Sequence, residues 1–129
     1  MTETTILVVD DEPFICRSLS FVLRKDGHRV VEARDGQEAL DRIREERPDL
    51  VFLDVMMPKI DGFVVAETVR DDPDLADVRL VLLTARGQDA DRARGVAAGV
   101  DAYVTKPFSP SGILGLCREL LARPAAARP

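Results

Sequence analysis

Four apolar residues, Ile6, Leu7, Val8 and Val9, run without interruption into Asp10, Asp11 and Glu12. So short an unbroken apolar run fits a strand covered on both faces, as in a parallel sheet, and its end passes abruptly from core to solvent. Similar short runs recur in HRVVEA (28–33), DLVFLD (49–54), VRLVLLTA (78–85) and DAYVT (101–105). Helical patterns separate them: from about Pro13, in GQEALDRIREER (36–47), after Gly62, in DADRARGVAA (89–98) and after Ser109. Ile15, Leu19, Val22 and Leu23 fall on one helical face, as do Ile113, Leu116, Cys117, Leu120 and Leu121 in the last helix. Strand and helix alternating about five times predict an α/β fold, a parallel sheet with helices on both faces. Gly27, Pro48, Pro73 and Gly99 punctuate the elements, and Ser109 with Pro110 is an N-cap followed by proline at the first helical position.

Length and composition narrow the picture. A chain of 129 residues fits one domain with a self-sufficient core. With 46% hydrophobic and 32% charged residues it reads as globular rather than disordered or membrane-embedded. No apolar run is long enough to span a bilayer, and MTETTILVV lacks the basic region of a secretory signal, so the default expectation is a cytoplasmic protein with no membrane partner. A net charge of −5 argues against nucleic-acid binding by this chain alone, because phosphate backbones are held by concentrated Lys and Arg. Cys16 and Cys117 fit no metal-ligand spacing and read as free thiols. His28, between Gly27 and Arg29, reads as a turn residue rather than a catalytic one.

In an open parallel sheet ligands bind beyond the carboxyl ends of the strands. The first strand ends in Asp10 and Asp11, the third in Asp54, the fourth in Thr84 and the fifth in Lys106. Taken singly, each is an ordinary solvated residue after a strand. Together they put three carboxylates, a hydroxyl and an ammonium on one rim. Crowded carboxylates favour a hard cation with oxygen ligands, which suits Mg²⁺ and not zinc. Such an ion beside a lysine, a hydroxyl and a further carboxylate makes a place for a phosphoryl group and supplies an Asp nucleophile. In MMPKIDG, Pro58, Asp61 and Gly62 read as a turn that presents backbone toward the rim and then starts a helix.

The stretches ILVVDDEP, DLVFLDVMMPKIDG, VRLVLLTA and DAYVTKPFSP make the chain resemble the receiver domains of two-component response regulators, over about residues 5–121. The resemblance implies a chemotaxis-regulator-like, flavodoxin-like fold: a doubly wound five-stranded parallel sheet, order 2-1-3-4-5, flanked by five helices. It implies a receiver domain over 1–121, with 122–129 as a tail or the start of a linker. By the same resemblance Asp54 is the phospho-acceptor, Asp11 a direct Mg²⁺ ligand, Asp10 a ligand through water, and the Met56 carbonyl a further ligand. Thr84 and Lys106 contact the phosphoryl group, and Thr84 with Tyr103 forms the switch pair. A cis Lys106–Pro107 bond is expected, X-Pro being its one common context. The implied partners are a sensor histidine kinase or phosphotransfer protein upstream and an output domain or downstream protein. The implied activity is signalling phospho-acceptance with weak self-catalysed transfer and autodephosphorylation, not turnover of a substrate.

Two rival readings use the same chemistry. A haloacid-dehalogenase-like phosphohydrolase also has an Asp nucleophile with Mg²⁺, but places it after the first strand with a second acid two residues on; here that position is DDE and no cap-sized insertion follows. A pseudo-receiver would lack one of the acids or the lysine, and none is missing. The helix holding Gly95 offers mostly Ala to the core, which suits a loosely held, shifting element. By the resemblance to receivers, Met56 and Arg86, two residues after Asp54 and Thr84, stand where that family flanks the path of attacking water, and predict a long-lived phosphorylated form. Receivers joined to winged-helix domains commonly dimerise through crossed charges on helix four, strand five and helix five. Arg92, Asp101 and Arg118 stand on those elements here, but Ala102, Gly112 and Leu116 replace their partners. The expectation is a monomer or a weak phosphorylation-dependent dimer.

Overall fold

The computed structural model describes residues 3–85 and 89–123, without the side chains of 89–92. Five strands, β1 (Thr5–Val9), β2 (Arg29–Ala33), β3 (Leu50–Asp54), β4 (Arg79–Ala85) and β5 (Ala102–Lys106), alternate with five helices. The helices are α1 (Pro13–Lys25), α2 (Gly36–Glu46), α3 (Gly62–Arg70), α4 (Asp89–Ala97) and α5 (Pro110–Ala122). All pairings are parallel and the order is β2-β1-β3-β4-β5, as expected from the sequence. The chain leaves β1 toward β2 on one side and returns to β3 on the other, so the strand order reverses between the ends of β1 and β3. That crevice is where an open parallel sheet binds ligands.

The period-two alternation of strand side chains sorts the core into two layers. Leu7, Val9, Val51, Leu53, Leu80 and Leu82 face α2 and α3, where Leu40, Ile43, Phe63 and Val69 close over them. Ile6, Val8, Leu50, Phe52, Val81 and Leu83 face α1 and α5, which supply Leu19, Leu23, Ile113, Cys117 and Leu120. Each fully buried Leu or Ile contributes about 1.5–3 kcal/mol, so both layers matter to stability.

Caps fix where helices start. Asp35, Asp61 and Ser109 accept hydrogen bonds from Glu38 N, Val64 N and Gly112 N at 2.8, 3.0 and 3.0 Å. Gly27 and Gly99, at φ +92° and +85°, end α1 and α4 in the left-handed region that favours glycine. The buried face of α1 is rotated from the periodicity expectation. Cys16, Leu19, Ser20 and Leu23 are buried, whereas Ile15 and Val22 are half-buried. The reason is polar: Cys16 Sγ donates to Asp10 O at 3.3 Å and Ser20 Oγ to Glu32 Oε2 at 2.6 Å, which satisfies both groups inside.

Helix α4 is as sparsely buried as expected, with Gly95 and Ala98 inside and Val96 73% exposed. Gly95 has a steric reason to be there: a Cβ on it would stand 2.9 Å from Leu82 Cδ1 and 3.7 Å from the Tyr103 ring. The helix lies directly on β4 and β5 at that point.

Both cysteines are buried and unpaired, and burial pushes the Cys16 thiol up to about 11 and the Cys117 thiol up to about 12. A neutral-pH disulfide reagent is therefore expected to label neither in the native protein and both in denaturant, because the thiolate is the nucleophile. Rapid native labelling at either position would contradict this packing.

Candidate functional site

The ends of β1, β3, β4 and β5 form a cleft of about 240 Å³ that gathers Asp10, Asp11, Asp54, Met56, Thr84 and Lys106. Asp10 follows the last residue of β1 and is fully buried, Asp54 ends β3 at 6% exposure, and Asp11 is exposed. One carboxylate oxygen from each of the three acids lies within 4.8 Å of the others. Among the described residues, Lys106 answers their mutual repulsion. Lys106 Nζ donates to Asp10 Oδ2 at 2.7 Å and to Asp54 Oδ1 at 3.4 Å. The other Asp10 oxygen accepts from Glu12 N at 3.0 Å.

The electrostatics follow from this crowding. Burial, and then the charge of Asp10, push the Asp54 carboxyl up to about 6, although Lys106 and the Met56 amide pull the other way. For Lys106, burial disfavours the ammonium, but hydrogen bonds and charges from Asp10 and Asp54 outweigh it and hold its pKa above the ordinary value. Among the described residues of the cleft the carboxylates outnumber the one ammonium, and the donor set is all oxygen. Both features fit a hard divalent cation such as Mg²⁺. Among the described residues, Asp10, Asp11 and Asp54 are the cluster of side chains that could hold it.

The Lys106–Pro107 peptide is cis, as expected. Thr84, 3% exposed, makes a long 3.5 Å hydrogen bond to Ala85 O. Tyr103 is not in the cleft. It pairs with Leu82 in the sheet register, short of the Thr84–Thr105 pair, and packs half-buried beside α4. Met56 lines the rim with its side chain 75% exposed. Arg86, and the side chain of Arg92, lie outside the described residues. Sequence reasoning missed Glu12, which lines the cleft and whose amide holds Asp10; its place in the DDE run was the available signal.

A family model described as "Response regulator receiver domain" matches residues 6–118. The chain belongs to this family. It is 45% identical over 122 residues to "Probable transcriptional regulator ycf27" of Guillardia theta, covering 95% of this chain and 47% of that protein. It is 40% identical over 124 residues to the "Alkaline phosphatase synthesis transcriptional regulatory protein PhoP" of Bacillus subtilis, covering 96% of this chain and 51% of that one. Its fold superposes, at a TM-score of 0.91, on a putative response regulator from Chloroflexus aurantiacus that is 35% identical, covering 95% of this chain and all of that one. This receiver domain spans about half the length of the curated relatives it matches.

Two of the charges on the elements through which such receivers pair are engaged within this chain. Asp101 stands just before β5 but is turned inward: its Oδ2 accepts from Arg70 Nη2 at 2.9 Å and Leu80 N at 2.8 Å, with 12% of the side chain exposed. Arg118 pairs with Asp26 Oδ1 at 3.2 Å, across to the end of α1. Both charges already have partners within the chain.

Proposed function

We propose that the domain accepts a phosphoryl group on Asp54 from a partner histidine kinase or phosphotransfer protein and passes the change of state to an output domain or downstream protein. The observation that carries the reading is the convergence of Asp10, Asp11, Asp54, Thr84 and Lys106 in one cleft from four different strands. An Asp54 carboxylate oxygen attacks phosphorus as the bond to the donor's imidazole nitrogen breaks, and an acyl phosphate forms. Asp11 directly, Asp10 through water, Asp54 and the Met56 carbonyl would hold Mg²⁺, which when bound neutralises charge between carboxylate and phosphoryl oxygens. Lys106 offsets charge on another phosphoryl oxygen. The Thr84 hydroxyl exchanges its long bond to Ala85 O for one to the phosphoryl group, and Tyr103, packed against α4, carries that movement to the surface. Residues 1–121 act as the receiver, and 122–129 as a tail or the start of a linker.

Incubation with a small phosphodonor and Mg²⁺ tests the reading. One acid-stable, base-labile label per chain is expected, and continuous phosphate release at high turnover would identify a hydrolase instead. The first outcome is favoured because a hydrolase nucleophile after β1 would have to be Asp10, both of whose oxygens are already engaged, by Lys106 and by the Glu12 amide.

The label is expected to decay slowly. The exposed Met56 thioether at the rim cannot orient an attacking water. Met56→Asn should hasten loss of the phosphoryl group, measured as the decay rate after the donor is removed; an unchanged rate removes Met56 from that path.

Assembly follows from the paired charges. With Asp101 held by Arg70 and Arg118 by Asp26, breaking these pairs to build crossed ion pairs between copies gains little. The domain with a phosphoryl mimic bound is expected to sediment mainly as a monomer or weak dimer, and Arg92→Ala to leave its association unchanged. A tight dimer dissolved by Arg92→Ala would overturn this.

A further inference from the structure

We infer that Gly36, the first residue of α2, is a positioning residue for the acid cleft, acting through the loop that joins β3 to α3; the inference rests on the reading of that cleft as a Mg²⁺ and phosphoryl site. Gly36 is buried, and a Cβ there would stand 2.2 Å from Ile60 O, 2.6 Å from Ile60 Cβ and 2.9 Å from Ile60 C. Its φ is not positive, so the position calls for glycine on grounds of space and not of backbone conformation. A glycine also weakens the helix it begins.

The loop pressed against Gly36 is short and closed. Val55 N donates to Leu83 O at 3.0 Å, Gly62 N to Val55 O at 3.0 Å, and Ile60 N to Pro58 O at 2.9 Å, while Lys59 sits at φ +70°. At its other end a Cβ on Gly62 would stand 2.4 Å from Asp54 O. The loop is therefore wedged between two glycine contacts, one on the Asp54 backbone and one on α2. The Met56 amide, which faces the Asp54 carboxylate, and the Met56 carbonyl both belong to this closed unit. Pushing Ile60 away from α2 displaces this closed unit and re-aims the Met56 backbone. The Lys59–Asp35 pair at 3.3 Å spans the same seam but is exposed and adds little.

The test compares Gly36→Ala with Leu40→Ala, which also disturbs the buried face of α2 but is not at the Ile60 backbone contact. Amide resonances of residues 55–61 are recorded without metal, and MgCl₂ is then titrated. Gly36→Ala is expected to move those resonances and to weaken Mg²⁺ about tenfold, the usual size for a residue that orients ligands from behind. Leu40→Ala should lower the denaturation midpoint with Mg²⁺ affinity unchanged. Should Gly36→Ala not fold, Ile60→Gly disturbs the contact from the other side, with the same loss of affinity expected. Unmoved 55–61 resonances and unchanged Mg²⁺ affinity in the folded variant would overturn the inference. A wild-type chain that gave no Mg²⁺ response would instead overturn the reading of the cleft, and the metal-free resonances of Gly36→Ala would still decide whether Gly36 positions the loop.

Discussion

Asp54→Asn is expected to abolish labelling by a phosphodonor and, at neutral pH without Mg²⁺, to make the domain more stable by about 1–3 kcal/mol. Loss of labelling follows because an amide is no nucleophile toward phosphorus. The gain in stability follows from the pKa near 6 that burial and Asp10 impose on a carboxyl whose ordinary value is 3.8. The folded protein binds this proton more tightly than the unfolded chain does. The group's stabilising contribution is therefore complete below about pH 4 and is lost as the pH rises through about 6. Asparagine keeps the volume and carries no charge at any pH. Urea midpoints of the two proteins should accordingly run together in acid and separate toward neutrality, with the variant above. Parallel pH profiles would mean that Asp54 ionises in the folded state as easily as in water. Undiminished labelling of the variant would place the acceptor elsewhere.

Arg70→Ala is expected to cost about 2–4 kcal/mol, because it removes one partner of a part-buried, hydrogen-bonded ion pair. The Arg70 side chain is 15% exposed and donates from three nitrogens: Nε to Gly99 O at 2.7 Å, Nη1 to Val78 O at 2.8 Å and Nη2 to Asp101 Oδ2 at 2.9 Å. It ties the end of α3 to the entry of β4 and to the turn that follows α4. Truncation removes these bonds and takes the Arg70 guanidinium away from the part-buried Asp101 carboxylate. Against a total of about 5–15 kcal/mol for a domain, such a loss leaves a marginal protein. Arg70→Lys should recover only part of it, since an ammonium cannot reproduce the planar fork. Denaturant titration decides the matter, and a midpoint within error of wild type would show the cluster to be energetically idle.

The legible part of the candidate site has a common cause. In a parallel sheet every strand ends on the same rim, so acids at the ends of the first and third strands, a threonine near the end of the fourth and a lysine ending the fifth must meet once the strands are recognised. Asp10, Asp11, Asp54, Thr84 and Lys106 were readable for that reason. Arg70 and Asp101 were not, because they stand 31 residues apart and each resembles an ordinary solvated charge at the end of an element. Gly36 carried no signal either, and Gly62 was legible only as part of the turn that starts α3. What distinguishes them is the distance to Ile60 O and Asp54 O, a relation between elements far from any hydrophobic period.

The sequence by itself determined the alternation of strands and helices, the apolar runs buried on both faces, the cap at Ser109, the turn through Asp61, and the side chains delivered to the rim. Each of these is a local matter, set within a few residues by periodicity, backbone propensity and hydrogen bonding to the nearest amides. Only the tertiary structure decided that α1 turns Cys16 and Ser20 inward, that Asp101 faces Arg70, and that Tyr103 lies against α4 outside the cleft. It also decided that Asp54 is buried enough, and close enough to Asp10, to hold its proton up to about pH 6. Those outcomes depend on close packing and on charges brought near in a poorly solvated interior, where the energy is set by distances between elements that the order of residues along the chain does not contain.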